Sequence, residues 1–599
     1  MVRTIFDLLE RYKNIYADKS DALAGKVGGQ WIKYSAREYV EKASLISYGL
    51  LAMGFKPGDR IATVSNNRPE WNIFDMGMLQ IGVVHVPIYP TISFDDFSYI
   101  FMHAEPKMLM VSDKMLYEKL KPIAQKTSSI EFIYTFNPVD GIKNWNEILE
   151  LGKEYSEKYI LELEKVKCTI SPQTLATLIY TSGTTGVPKG VMLSHSNIVS
   201  NFVATSKLHH LDHRHKALSF LPICHIYERM MNYHFQYKGL SIYYAENLGT
   251  IIENLKEVQP HIFNTVPRLL ERVYGGIIGK GKDLPYIKKV IFFWAVNLGL
   301  KFKRNHENGW WYHFKLQIAD KLVFSKWREA LGGNTSLVVS GGAALQPRLA
   351  KIFGAAGIQI LEGYGLTETG PVIAVNNPAK NLVKIGTVGP ILENVEVKIA
   401  DDGEILCKGP NIMIGYYKAP DLTKEVIDEE GWFHTGDVGI IEDGLYLKIT
   451  DRKKEIFKLS NGKYVAPQVL ENKFKESFFI EQIIVIGENE KFASALISPN
   501  FNFLHNWCYL HNVSYRDNYE LIKEPKVIAR YQREVNAMNK TLGQTEHLKR
   551  FRLVAEEWSP LTGELSPTLK LKRKYLYDKY SHIIEEIYSA KNGESFDCM

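Results

Sequence analysis

Along the first half of the chain, short apolar runs alternate with stretches of helical period. Arg60-Ile-Ala-Thr-Val-Ser65 is one such run and ends in Asn66-Asn67. Pro69 fits the first turn of a helix, and Trp71, Phe74, Met78 and Ile81 follow at helical spacing, which predicts one buried face. Gly82 ends that helix, and Val83-Val-His-Val-Pro-Ile88 predicts the next strand. Strand, helix and strand in this order predict a crossover unit in a largely parallel sheet. Leu337-Val-Val-Ser340 and Gln359-Ile-Leu361 predict further buried strands. There is no internal repeat and no low-complexity tract.

The texture changes twice. Residues 270–335 are rich in Lys, Arg and aromatic side chains, as in Ile291-Phe-Phe-Trp294 and Trp310-Trp-Tyr-His-Phe314. This stretch reads as helical and amphipathic, either an insertion packed on the main domain or an element for a membrane surface or lipid entry. Further on, a charged break at Asp451-Arg-Lys-Lys454 precedes two apolar runs, Gln482–Gly487 and Phe492–Ser498, joined by a turn-like segment. That pattern is a hairpin. It sets a domain boundary near Asp451, giving a large domain over 1–450 and a smaller one over 451–599.

Composition excludes several classes. With 45% hydrophobic and 23% charged residues the chain of 599 is an ordinary globular protein of more than one domain, not a disordered one. A net charge of +6 over this length does not mark a dedicated nucleic-acid binder. The five cysteines (Cys168, Cys224, Cys407, Cys508 and Cys598) form no CxxC pair, so neither a zinc ribbon nor a redox motif is expected. The first residues lack the apolar core of a signal peptide, since Asp7 and Glu10 interrupt it. No run approaches the roughly 20 apolar residues of a spanning helix. The expectation is a cytoplasmic protein, with peripheral contact at the inner face of the membrane left open.

The strongest local signal is Tyr180-Thr-Ser-Gly-Thr-Thr-Gly-Val-Pro-Lys-Gly-Val191, which follows the apolar strand Leu175 to Ile179. Gly183, Gly186 and Gly190 let the backbone turn tightly and bring amides close to a ligand. Thr181, Ser182, Thr184 and Thr185 add hydroxyls, and Lys189 adds a positive charge. Together these suit a polyphosphate. The string is not a Walker A loop, because the residue five past Gly183 is Pro188 and Lys189 is followed by Gly190. Cys224 and His225 are adjacent; on a strand they would face opposite ways, so a catalytic dyad is not expected.

The string resembles the signature of the adenylate-forming superfamily, which includes acyl-CoA synthetases, adenylation domains and firefly-type luciferases. Six further segments resemble the same family in the expected order: Leu221–Arg229 its gate, Val339–Ala343 its adenine-binding strand end, Glu362–Thr369 its adenine and magnesium motif, Gly431–Asp437 its ribose motif, Thr450–Glu455 its hinge, and Ser566–Lys570 its catalytic-lysine loop. The resemblance implies an α/β fold: a large multi-subdomain N-terminal domain with mostly parallel sheets flanked by helices, and a small α+β C-terminal domain joined by a hinge. It implies ATP, Mg2+ and coenzyme A as cofactor and co-substrates. Nucleotide would be held by Thr181, Ser182, Gly183, Thr184, Thr185, Gly186 and Lys189 at the phosphates, and by Gly341, Gly342, Ala343, Glu362, Gly363, Tyr364 and Gly365 around adenine. Thr367 would contact the α-phosphate, Asp437 the ribose, Arg452 the ribose or a phosphate, and Thr181 and Glu368 the metal. Lys570 would be the catalytic lysine, with Lys572 only two residues away, while Lys189 would stabilise charge and His225 would line the pocket.

The insertion, the Pro-Arg-Leu-Leu-Glu-Arg run at 267–272 and Leu569–Arg573 resemble long-chain fatty acyl-CoA synthetases more than acetate or aryl-acid enzymes. The implied partners are a long-chain fatty acid, ATP and CoA, with no nucleic acid; a homodimer is left open. Two other readings stand beside this one: transfer of the acyl group to a carrier protein, and a non-catalytic lipid- or membrane-binding scaffold that keeps the fold.

Overall fold

The computed structural model describes residues 2–182, 187–304, 307–560, 562–566 and 570–589. The chain divides into two compact units: 1–398 with 406–435 and 441–447, and 399–405 with 436–440 and 448–599. The division falls inside the strands Glu396–Ile399, Glu404–Lys408, Phe433–Glu442 and Tyr446–Arg452. Asp451, where the sequence sets the boundary, thus lies within a strand.

The first unit has the expected α/β build. In one sheet Arg60–Val64 is parallel to Val84–Ile88 on one side and to Met108–Val111 on the other. The sheet continues through Leu175–Ser182, Pro188–Ser194 and Gly415–Tyr416 at one edge, where pairing turns antiparallel. The other sheet runs parallel through six strands, from Gln359–Gly365 through Leu337–Ser340, Ile262–Thr265, Lys216–Ser219 and Ser241–Tyr244 to Leu23–Val27. Antiparallel strands Val372–Val375 and Gln30–Tyr34 close its edges.

The predicted crossover is present, with Pro69 at the start of helix Pro69–Gln80. The expectation of a single buried face is corrected. Nearly every residue of this helix is buried, including Asn72, Asp75 and Gln80. The reason is its place between the sheets, touching Val84–Ile88 of one and Leu23–Val27 of the other. There, a Cβ on Gly25 would stand 2.7 Å from the Pro69 ring, so only glycine lets strand and helix approach this closely.

The stretch 270–335 is helical as predicted, with helices Pro267–Lys282, Tyr286–Gly299, Trp310–Ala319 and Ser325–Ala330, the last two joined by a π-helical turn, Asp320–Phe324. Phe292, Ala295, Val296, Phe324 and Trp327 are buried against the unit. Among the described residues no helix is long and apolar enough to cross a membrane.

The second unit is α+β. Its predicted hairpin is formed by Ile480–Ile486 and Ser494–Pro499, and Arg550–Leu553 joins in parallel. Phe474, Phe479, Ile483, Val485, Leu504 and Tyr531 build the core beneath it.

Candidate active site

The described residues of the phosphate string lie on two paired strands. Strands Leu175–Ser182 and Pro188–Ser194 pair antiparallel, with Thr181 opposite Lys189 and Ser182 opposite Pro188. Gly183, Thr184, Thr185 and Gly186 lie outside the described residues. A Thr hydroxyl and a Lys ammonium on paired positions of two strands are groups whose chemistry suits an anion. Gly190 lies against the Tyr180 ring, where a Cβ would come within 3.2 Å, and the Tyr180 hydroxyl is 2.7 Å from His103 Nδ1. These contacts fix the paired strands.

Tyr416 was not among the sequence candidates. It pairs with Val191 on strand Pro188–Ser194, its ring centroid is 5.1 Å from Lys189 Nζ, and its hydroxyl donates to Glu368 Oε1 at 2.9 Å. One side chain thus touches both the phosphate-loop lysine and the acid expected to hold metal. In the sequence it is only one aromatic of Met413-Ile-Gly-Tyr-Tyr417, with no spacing that marks it.

Glu368 sits in a short 3-10 turn, Thr367–Thr369, after strand Gln359–Gly365. The turn forms because the Leu366 amide donates to Thr369 Oγ1 at 2.9 Å, and because Gly365 admits the returning chain: a Cβ there would lie 1.8 Å from the Pro371 carbonyl oxygen. Half-buried Tyr364 and Thr367 flank it. Among the described residues no three or more His, Cys, Asp or Glu gather as a metal cage. One carboxylate and one hydroxyl, Glu368 and Thr181, nevertheless suit a hard ion such as Mg2+, which keeps waters and takes its remaining oxygens from phosphates.

Glu362 is turned inward. Its carboxylate accepts from the Gly386 amide at 3.4 Å, and burial pushes its pKa up to about 8. Gly363 pairs with Val375 on the neighbouring strand. Gly341 follows strand Leu337–Ser340 and lies against the Tyr227 ring, 3.2 Å from where its Cβ would be. Gly342, at φ +81, adopts a left-handed turn suited to glycine, and Ala343 beyond it is exposed.

The reading of Cys224 and His225 as strand neighbours is corrected. They lie in a loop, and His225 is the N-cap of helix Ile226–Lys238, its Nδ1 accepting from the Tyr227 amide at 3.1 Å. The conclusion that they form no dyad stands on another ground: Cys224 is buried, and burial pushes its thiol far above its ordinary range, so it stays protonated.

In the second unit Asp437 is buried, with Oδ1 3.0 Å from Arg452 Nε, so the two expected nucleotide contacts are brought together as an ion pair. Lys453 turns away from them to Asp402 and Glu404. Asp451 accepts from the Arg452 amide at 2.6 Å, and burial, with Glu455 and Glu471 nearby, pushes its pKa up to about 7. Lys570 and Ser566 are hydrogen-bonded to each other: the Ser566 amide donates to the Lys570 carbonyl at 2.7 Å and the Lys570 amide donates to Ser566 Oγ at 3.1 Å. Residues 567–569 lie outside the described residues. Lys572 caps the following helix, whose first residue, Arg573, is anchored to Glu455 and Glu471 at 2.9 and 2.7 Å. The Lys570 side chain is exposed.

Residues 13–417 match the AMP-binding enzyme family and 454–592 the AMP-binding enzyme C-terminal domain. The long-chain-fatty-acid–CoA ligase FadD15 of Mycobacterium bovis is 31% identical over 579 residues, 94% of each chain. Long chain acyl-CoA synthetase 3 of Arabidopsis thaliana is 32% identical, covering 96% of this chain and 90% of its own. Among solved structures, the A domain of a carboxylic acid reductase from Segniliparus rugosus, bound to AMP and a carboxylic acid, superposes with a TM-score of 0.74 at 20% identity over 98% of this chain and 94% of its own. ATP-bound MatB from Rhodopseudomonas palustris has a TM-score of 0.68 at 20% identity over 97% of this chain and 100% of its own, and both show a shared fold. The chain is therefore a member of the AMP-binding enzyme family, and relatives that match it along nearly its whole length bear the names of long-chain fatty acid–CoA ligases.

Proposed function

We propose that this chain is an AMP-forming long-chain fatty acid–CoA ligase. The observation that carries the chemistry is the gathering of Thr181, Lys189 and Glu368, the first two paired across the strands and the last two joined through Tyr416. A hydroxyl, a cation and an acid so placed suit a triphosphate and its metal. The named relatives supply the substrate class.

In the first half-reaction a fatty-acid carboxylate oxygen forms a bond to the α-phosphorus of ATP, the α–β bridging bond breaks, and pyrophosphate leaves with its electron pair. No protein nucleophile is needed, in keeping with a buried, protonated Cys224. The protein's part is positioning and charge stabilisation. Lys189 and Thr181 hold the departing phosphates, Tyr364 and the Gly341–Gly342 turn take the adenine, Asp437 and Arg452 take the ribose, and Lys570 contacts the carboxylate and α-phosphate. His225 lines the pocket. Glu368 and Thr181 would hold Mg2+, which supplies further neutralisation of the phosphate charge. In the second half-reaction the CoA thiol loses its proton, its sulfur bonds to the acyl carbon, and the acyl–oxygen bond to AMP breaks, giving a thioester and AMP. Asp451 is proposed as the pivot between the two steps.

A fatty-acid panel assayed for AMP release with and without CoA tests this. Pyrophosphate release with long-chain acids, and AMP release only when CoA is present, is the expected result. Failure of every acid to yield an acyl-adenylate overturns the reading. Acylation of a holo carrier protein but not of CoA overturns the choice of acceptor.

A further inference from the structure

Helix Tyr286–Gly299 buries one side and presents an apolar stripe on the other, and helix Trp310–Ala319, buried only at Ala319, presents a second stripe. On the first, Tyr286, Ile287, Val290 and Trp294 are exposed, Tyr286 at 81% and Ile287 at 72%. At 100° per residue these fall within about one 100° arc. The buried Phe292, Ala295, Val296 and Gly299 occupy the opposite arc. On the second helix, Trp310, Trp311, Phe314 and Ile318 repeat the same spacing, with Trp310 at 79% exposure. The Tyr312 hydroxyl donates to the Leu298 carbonyl at 2.9 Å, which ties the two helices together. Isolated exposed apolar side chains need no explanation, whereas eight at one repeated spacing on two adjoining helices are more than a soluble monomer usually leaves bare.

The charge around the patch identifies what covers it. Residues 286–319 carry six basic side chains (Lys288, Lys289, Lys301, Lys303, Arg304 and Lys315) against one acidic residue, Glu307. The chain as a whole is nearly balanced, with 73 basic and 67 acidic residues. Lys315 Nζ lies over the Trp311 ring, 5.2 Å from the centroid, which puts a cation directly beside the apolar stripe. Tryptophans at the level of the headgroups, lysines beside them and aliphatic side chains between are the composition of a surface that lies in the plane of an anionic bilayer.

We propose that the helix pair 286–319 docks this protein on an anionic lipid surface through its outward apolar stripes. The surface is independent of the ligase chemistry and stands or falls without it. If both hold, docking brings the enzyme to the phase in which long-chain acids concentrate.

Co-sedimentation of the full chain with vesicles of phosphatidylcholine, with and without one-quarter phosphatidylglycerol, tests the proposal. Binding to the anionic vesicles that weakens with salt, accompanied by a blue shift of tryptophan fluorescence, is expected. Ile287→Glu with Trp311→Glu, and separately Lys288→Glu with Lys289→Glu, should each lower the partition coefficient by at least about tenfold. Because these side chains point outward, thermal unfolding and turnover of a detergent-solubilised substrate should not change. Three outcomes overturn the proposal: no partitioning of the unmodified chain, undiminished partitioning of both variants, or light scattering that shows a dimer which the Glu variants convert to monomer, a second copy then being what covers the face.

Discussion

Arg229 Nη2 lies 2.7 Å from Asp75 Oδ1, and both side chains are fully buried. Arg229 also donates to Thr177 Oγ1 and to the Tyr233 hydroxyl, each at 2.7 Å. It sits one turn beyond His225 on its helix, and Thr177 sits four residues before Thr181 on its strand. Burial pushes the Asp75 carboxyl up, but Arg229 together with the hydrogen bonds of His85 and Tyr233 holds it below its ordinary range. Arg229 thus ties helix Ile226–Lys238 to helix Pro69–Gln80 through the ion pair with Asp75, and to strand Leu175–Ser182 through its hydrogen bond to Thr177. Arg229→Leu leaves Asp75 buried without its counter-charge, and is expected to cost about 3–5 kcal/mol. Thermal unfolding should show this, and the loss in the double variant Arg229→Leu, Asp75→Asn should be well below the sum of the single losses.

Glu228, the neighbour of Arg229, gives a pH dependence of defined sign. Burial pushes its pKa up to about 7, against hydrogen bonds from Ser219, Asn264 and Asn232 that lower it. The folded state then holds a proton that the unfolded chain has released above its ordinary value of 4.5. Its contribution is complete below pH 4.5 and is lost as pH rises to about 7. Relative to Glu228→Gln, the unmodified protein should lose on the order of 3 kcal/mol across that window. Denaturant titrations of both proteins at several pH values measure it. A difference that stays constant with pH contradicts the assignment.

Gly365→Ala places a methyl group where the Pro371 carbonyl already stands, and backbone does not give way as a flexible side chain would. The turn bearing Thr367 and Glu368 should distort, with a stability loss of about 1–3 kcal/mol. A lower unfolding midpoint together with a raised KM for ATP is the expected pair of results.

Tyr416→Phe keeps the ring beside Lys189 and removes the hydroxyl that orients Glu368. Loss of such a supporting bond typically weakens metal binding about tenfold or more. ATP–pyrophosphate exchange measured against Mg2+ concentration should shift its midpoint upward by that factor, with little change at saturation.

Lys570→Ala is expected to lower acyl-adenylate formation by about 10²–10³, the usual effect of removing one stabilising donor in a preorganised site. Thioester formation from preformed acyl-adenylate should be largely spared. Lys572→Ala should affect neither step by as much. If the two variants exchange behaviour, the catalytic lysine is Lys572.

Local chemistry was legible where it depends on neighbours in the chain. The run at Arg60–Val64, Pro69 at its helix start, the hairpin over 480–499 and the motif order from Tyr180 to Lys570 could all be read directly. The candidates on the phosphate string follow from its glycines, hydroxyls and lysine, whereas those after strand Gln359–Gly365 follow only from the resemblance to the adenylate-forming superfamily. What failed was any inference that needed the surroundings. Cys224 and His225 were read as strand residues because an apolar run cannot show that a helix begins at Ile226. Helix Pro69–Gln80 was given one buried face because its period does not reveal that sheets lie on both sides of it.

The sequence by itself determined the α/β class, the places of turn and strand, and which residue types could meet a triphosphate, because backbone preferences and side-chain chemistry act over a few neighbouring residues. Only the tertiary structure decided that Tyr416 joins Lys189 to Glu368, that Arg229 neutralises Asp75, and that the stripes of 286–319 face outward rather than into a core. Such pairings depend on segments far apart in the chain being brought within hydrogen-bond reach, and on which apolar faces are left over once the core is full.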